Sequence, residues 1–373
     1  MTDKVLTIKD YLNFVEDTDR LPSNELSPVL HGLFGEVGGL MAVAKKIKRE
    51  PDSFTGFNSV VVEEFGDAFW YLCCLARRLE IDIENVFITV VKEGQSNPEV
   101  LIGNEDSPVS LMYKNQIERD FDEVLVNLGQ LTGNFLNPDF IKEESLEKLT
   151  SFLKTFFSAL HILKLNFSKI IQWNLDKISS RFIMPDYSYL PTFDDGFPEY
   201  ERLPDEFEIE FVQRTETQQA MQWNGVFIGD PLTDSIMDED GYRFHDVFHF
   251  SFASILHWSP TFRALIKHKR KSDSDVDKNQ DGGRAIVVEE GLSAWIFTIA
   301  KENNFFEDKK NLTFDMLKNV GQFVKGYEVD KCPLILWELA ILEGYKVFRS
   351  VKDNNGGVVV CDRRNRTIGY REN

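Results

Sequence analysis

Four acidic residues stand in two short stretches at spacings that suit metal-assisted phosphoryl chemistry. Glu36 lies in Gly32-Leu33-Phe34-Gly35-Glu36-Val37-Gly38-Gly39-Leu40. Glu63, Glu64 and Asp67 lie in Val62-Glu63-Glu64-Phe65-Gly66-Asp67-Ala68-Phe69-Trp70-Tyr71-Leu72. Glu64 and Asp67 are three residues apart, so a helix puts them on one face. Val61, Phe65, Ala68 and Leu72 recur at helical spacing and predict an apolar stripe beside that pair. Carboxylates at the edge of a buried face are costly unless positive charge lies between them. Mg²⁺ answers that need, because it takes hard oxygen ligands and keeps positions for water and phosphate oxygens. Mn²⁺ is the alternative ion.

The elements that must position these groups are helices. Residues 5 to 20 predict an opening helix, with Ile8, Tyr11, Leu12, Phe14 and Val15 apolar. The first acidic helix runs to about Lys48 and ends in a basic run. Pro51 to Asn58 is a loop, and the second acidic helix runs to about Leu79. A third helix covers Asp82 to Lys92, and Ser96 to Pro108 reads as a loop.

The two acidic stretches resemble the MazG-type all-α nucleoside triphosphate pyrophosphohydrolases, whose pattern is Glu-x-x-Glu, a loop, then Glu-x-x-Asp. Glu36 and Gly39 occupy the first pair, and Glu64 and Asp67 the second. The words Gly-Glu-Val-Gly and Glu-Glu-Phe-Gly-Asp-x-x-Trp-Tyr-Leu extend the likeness. The resemblance implies that Glu36, Glu64 and Asp67 bind metal. It also implies that Glu63 or Glu64 orients or deprotonates the attacking water. Gly39 departs from the pattern by removing one acid, and Glu63 is a candidate substitute.

Residues 122 to 182 read as a worn copy of residues 29 to 95. Gly35-Glu36-Val37-Gly38-Gly39 faces Gly129-Gln130-Leu131-Thr132-Gly133, while Phe65 faces Phe152 and Phe69 faces Phe156. The copy replaces Glu36, Glu64 and Asp67 by Gln130, Ser151 and Lys154. It retains Asn174, Lys177 and Arg181, which are similar to the family's closing Asn-x-x-Lys-x-x-x-Arg helix that helps hold the nucleotide. The expectation is one composite site, with acids from the first copy and Asn174, Lys177 and Arg181 contacting substrate.

Met184 to Asp205, rich in Pro, Asp and aromatic residues, reads as a linker. Phe207 to Asp230 predicts a β-hairpin, and a second hairpin turns near Arg363 to Asn365. Helices are expected over Tyr242–Trp258, Pro260 to about Lys269, Ala285–Asn303, Asp315–Val329 and Pro333–Val351. The words Gly-Asp-Pro-Leu-Thr-Asp, Gly-Tyr-Arg-Phe-His-Asp-Val-Phe-His and Ala-Ile-Val-Val-Glu-Glu-Gly-Leu-Ser-Ala look like the domain often fused behind MazG-type domains. His245 and His249 share a helix face, and Glu289 and Glu290 open a later helix. Together they form a second candidate site, although no third metal ligand is fixed by spacing. Arg263 to Lys271 is a basic island, read as a phosphate site or a solvated helix end. Asp273 to Asp281 fails the EF-hand template and reads as a mobile acidic loop.

The fold class expected is all-α: a MazG-like bundle over residues 1–183, a linker at 184–205, and a mainly helical domain with small β-hairpins over 206–373. A formal charge of −19 argues against a nucleic-acid polymer as partner. Cys73, Cys74, Cys332 and Cys361 show no metal-ligand spacing. Neither a signal peptide nor a long apolar run is evident, so a cytoplasmic protein without a membrane partner is expected. The resemblance implies nucleoside triphosphates as substrates and a homo-oligomer, while the duplication leaves a self-sufficient monomer open. The competing readings are a nucleotide sensor or partner-binding protein with a decayed site, and phosphohydrolase chemistry in the second domain.

Overall fold

The computed structural model describes residues 6–50, 52, 57–92, 101–102, 120–136, 142–234, 236–237 and 239–372. The described chain is mainly helical and divides into two units, residues 1–179 and 180–373. The division falls inside a helix.

In the first unit, α1 (Ile8–Thr18) begins at a capping box. Asp10 N donates to the Thr7 hydroxyl, and Thr7 N donates to the Asp10 carboxylate, each at 3.1 Å. Helix α2 (Ser27–Arg49) starts with Pro28 in its first turn and ends on Lys46, Lys48 and Arg49, as helix-end electrostatics favour. By length and composition alone α2 could cross a membrane. Here it buries Val29, Leu33, Val37, Leu40 and Val43 in the bundle. Helix α3 (Phe57–Arg78) buries Val61, Phe65, Ala68 and Leu72, the stripe read from the sequence. Cys73 and Cys74 extend the buried face as small apolar groups.

Helices α4 (Ile83–Lys92), α5 (Phe121–Phe135), α6 (Lys142–Ile162) and α7 (Phe167–Phe182) complete the first unit. Phe65, Phe69, Phe87, Phe156, Phe157 and Phe167 stack edge-to-face and tilted in its centre, with Phe69–Phe167 centroids 5.0 Å apart. Leu6–Thr7 (β1) pairs antiparallel with Leu101–Ile102 (β2), so a short strand replaces part of the predicted loop at 96–108. The remainder of that loop lies outside the described residues.

In the second unit, β3 (Glu206–Thr215), β4 (Gln218–Trp223), β5 (Val226–Leu232), β6 (Gly357–Asp362) and β7 (Thr367–Arg371) form one antiparallel sheet in the order β5-β4-β3-β6-β7. The hairpin predicted over 207–230 is instead a three-stranded meander, with β4 between the two runs read from the sequence, and it joins the second hairpin because β3 pairs with β6 from Glu206↔Asp362 to Phe211↔Gly357. On β3, Phe207, Ile209 and Phe211 alternate inward. They meet Phe250 and Phe262, and the Phe207–Phe262 centroids lie 4.6 Å apart. The helices of this unit are α8 (Asp246–Ser251), which continues as a π-helix over Phe252–Leu256, α9 (Pro260–Ile266), α10 (Ser274–Asn279), α11 (Gly283–Glu302), α12 (Phe314–Phe323) and α13 (Leu334–Asp353), of which α8, α9 and α13 pack on the sheet.

Three readings change in this unit. The stretch 184–205 is an integral part of the unit: Asp194 and Leu203 are buried, and Leu203 N donates to Asp194 at 2.9 Å. Residues 273–281 are not an open acidic loop. They form α10, and Asp281 is fully buried against Arg270 at 2.7 Å. The basic island is not a solvated helix end either. Arg263 and Arg270 are each 1% exposed, held by Asp194, Asp281 and Glu328. Charge matching turned Arg263, Arg270 and Asp281 inward, while Lys267, Lys271, Asp273 and Asp275 stay exposed.

Candidate functional site

The acids of α2 and α3 meet in the first unit. Gly32, Glu36 and Gly39 follow at helical spacing on α2 and share a face. The two glycines there let α3 side chains lie directly on the α2 backbone. A Cβ at Gly32 would strike the Tyr71 ring, and one at Gly39 would stand 2.3 Å from Glu64 Oε2. The Glu64 carboxylate thus fills the space in which a side chain at position 39 would begin.

Helix α7 supplies the counter-groups. Lys177 Nζ donates to Glu63 Oε1 at 3.0 Å and is paired with Asp67 Oδ2. Asn174 Nδ2 donates to Asp67 Oδ1 at 2.8 Å, and Tyr11 OH donates to Asn174 Oδ1 at 2.9 Å. The approach of α7 depends on Gly66, where a Cβ would lie 3.0 Å from Asn174 Cβ. Asn174 is fully buried and orients the Asp67 carboxylate. Arg181 belongs to the second unit, where it bonds Glu338 at 3.0 Å and the Leu312 carbonyl at 2.7 Å. Its guanidinium is engaged by protein, unlike the substrate contact expected from the motif.

The site holds an excess of negative charge. Burial, a hydrogen bond that the protonated Glu36 carboxyl donates to Glu64, and the Asp67 charge push Glu36 up to about 8. Burial raises Glu64 as well, reinforced by Asp67 and Glu63. Asp67 is also raised, since burial outweighs Lys177 and Asn174. Burial alone would lower Lys177, but Asp67 and Glu63 hold its ammonium above the usual range. Tyr71 is driven to about 12 by burial and by Glu36 and Asp67. Carboxyls whose proton affinity is raised by burial and by one another make a site that protons or a hard dication would relieve. Glu36, Glu64 and Asp67 are the residues that would hold an oxygen-liganded Mg²⁺, one acid fewer than the four-acid pattern; the ligand atoms that stand at metal spacing among the described residues are those of His245, Asp246 and His249 in the second unit. Tyr11 and Tyr71 were not singled out in the sequence. The signal for Tyr71 was the Gly32–Glu36–Gly39 face, which requires close neighbours.

In the second unit His245, His249, Glu289 and Glu290 also come together. His249 Nδ1 lies 2.9 Å from Glu289 Oε1, and His245 Nε2 lies 3.5 Å from Glu290 Oε2. This cluster joins α8 to α11.

The geometry thus defines a helical bundle carrying a carboxylate-rich site, followed by a sheet-and-helix unit. Residues 188–373 match the family model described as the MazG C-terminal domain, which supports a MazG-related protein. That match lies outside the acid cluster, whose reading rests on its own residues. No curated protein and no solved structure matches the chain.

Proposed function

We propose that the first unit hydrolyses a nucleoside or deoxynucleoside triphosphate to the monophosphate and pyrophosphate, with Mg²⁺. The observation that carries this reading is the convergence of Glu36, Glu64 and Asp67 on one under-neutralised cluster, with Lys177 beside it. The match of residues 188–373 to the MazG C-terminal domain supports a nucleotide-processing role.

Glu36, Glu64 and Asp67 would hold the ion, which when bound polarises phosphate oxygens and acidifies water. In the reaction a water oxygen bonds to the α-phosphorus and the bond to the α–β bridging oxygen breaks. Glu64, with its raised proton affinity, accepts the water proton. Glu63 is held by Lys177 and serves to orient. Lys177 offsets charge that develops on the departing pyrophosphate. Asn174 fixes the Asp67 carboxylate.

We also read α2–α4 and α5–α7 as a degenerate repeat whose halves share this site. Phe69 and Phe156, which the alignment of the copies pairs, pack on each other with centroids 5.9 Å apart.

The test is a panel of ribo- and deoxynucleoside triphosphates, incubated with Mg²⁺ or with chelator. Monophosphate and pyrophosphate should form, and should vanish with chelator and with Glu64→Gln or Asp67→Asn. Turnover unchanged by both substitutions would falsify the assignment. One observation favours a second reading: Gly39 leaves the acid set short, as in a nucleotide sensor. Saturable nucleotide binding with no product from any substrate would select it.

A further inference from the structure

The second unit carries a cluster of another kind, built from imidazoles and carboxylates. His245 caps α8 and His249 lies one turn on, while Glu289 and Glu290 are consecutive on α11. Glu289 is fully buried and its carboxylate is fully used. It accepts from Ser259 Oγ at 2.7 Å, from Thr261 N at 2.8 Å and from His249 Nδ1 at 2.9 Å. The carboxylate can only accept, so His249 Nδ1 carries the proton. His245 Nδ1 likewise donates to the Tyr242 carbonyl oxygen at 2.9 Å. The Tyr242 ring stacks on the His245 ring with centroids 4.3 Å apart, which fixes the imidazole plane.

Both Nε2 atoms are thereby turned to the same place. His245 Nε2 stands 3.5 Å from Glu290 Oε2, and His249 Nε2 stands 3.4 Å from Glu290 Oε1. Each Nε2 faces a carboxylate oxygen, an arrangement that either a ring proton or a metal ion between them satisfies. An ion bound tetrahedrally at about 2.0–2.1 Å from each donor spaces its donors by about 3.3–3.4 Å, close to these separations. His245, Asp246 and His249 each offer a ligand atom within 4.8 Å of the others. Buried Asp246 Oδ2 and His249 Nε2 make no hydrogen bond among the described residues. Nδ1 held by a carboxylate or carbonyl with Nε2 left for an ion is the outer-shell arrangement of metal-binding histidines.

We propose that His245 Nε2, His249 Nε2 and the Glu290 carboxylate, completed by Asp246, bind one divalent transition-metal ion. The mixed nitrogen and oxygen set favours Zn²⁺, Co²⁺ or Mn²⁺ over Mg²⁺. Glu289 is a positioning residue for His249. The Glu290 side chain is 39% exposed, so solvent reaches the site and can supply a further ligand. The centre is distinct in residues and in ion class from the carboxylate site of the first unit.

The test uses the full chain carrying Glu64→Gln and Asp67→Asn, so that the first unit does not compete for metal. After chelator treatment it is titrated with Zn²⁺ by calorimetry and with Co²⁺ by visible absorption. One equivalent should bind. Glu290→Gln and His245→Ala, each checked for folding by circular dichroism, should each weaken binding at least tenfold and alter the Co²⁺ bands. Glu290 is half exposed, so its substitution leaves the core intact. No saturable binding, or equal affinity in folded Glu290→Gln and His245→Ala, overturns the proposal.

Discussion

The acid cluster of the first unit and the arginine network of the second are both charged and largely buried, yet they are neutralised differently. In the second unit Asp194 accepts from Arg263, from Arg363 at 3.1 Å and from Leu203 N. Arg270 bonds Asp281 at 2.7 Å and Glu328 at 2.6 Å. Each charge there has a planar partner, and the network closes on itself. In the first unit Lys177 pairs with Glu63 and Asp67, while burial and the neighbouring acids push the Glu36 carboxyl up to about 8. A balanced buried network holds architecture together; an unbalanced one is poised to take up a cation. The difference separates scaffold from candidate chemistry better than the count of charged residues does.

The strongest way to break this comparison is Asp194→Ala. It strands Arg263 and Arg363 without their carboxylate, and removing one partner of a buried pair costs about 3–5 kcal/mol. Denaturant unfolding should register that loss.

Glu36→Gln tests the unbalanced side through pH. A carboxyl whose proton is held more tightly in the fold than its ordinary 4.5 stabilises the fold fully below pH 4.5. That contribution is lost as pH rises towards about 8. The ion-free protein should therefore lose stability across this window, and Glu36→Gln should flatten the loss. The half-buried carboxyl is partly screened, so the effect is about 2 kcal/mol, below the full value of the shift. Thermal unfolding at pH 5 and pH 8 measures it. Equal pH dependence in both proteins would remove Glu36 from the account.

Gly39→Ala should have the smallest effect. Its methyl displaces the Glu64 carboxylate, the mobile end of a side chain, so stability changes by under about 1 kcal/mol. Turnover should fall roughly tenfold, because misplacing a reacting group by a fraction of an ångström is costly. Steady-state kcat and KM against the same substrate decide the outcome.

Much of the first unit was legible in the chain. The stripe Val61, Phe65, Ala68, Leu72 announced the buried face of α3, and Glu64 and Asp67 lay beside it as their spacing required. Helical and strand periods are local properties, so they survive without knowledge of the fold. The second unit hid more. The hairpin at 357–371 was visible, but the middle strand β4 and the union through β3 and β6 were not. The run Arg263 to Lys271 has the composition of a surface, and only Asp194, Asp281 and Glu328 explain why Arg263 and Arg270 are buried while Lys267 and Lys271 stay exposed.

The sequence by itself marked the candidates for chemistry: the four acids, the missing acid at Gly39, and the His245–His249 and Glu289–Glu290 pairs. Hydrophobic period and residue type suffice for that. Only the tertiary structure decided their partners. It brought Asn174 and Lys177 to Asp67 across 107 and 110 residues, sent Arg181 to Glu338, and set both imidazole Nε2 atoms on Glu290. The reason is physical. A side chain's chemistry is intrinsic, but its protonation and its partner depend on burial and on neighbours that the chain supplies from far along its length.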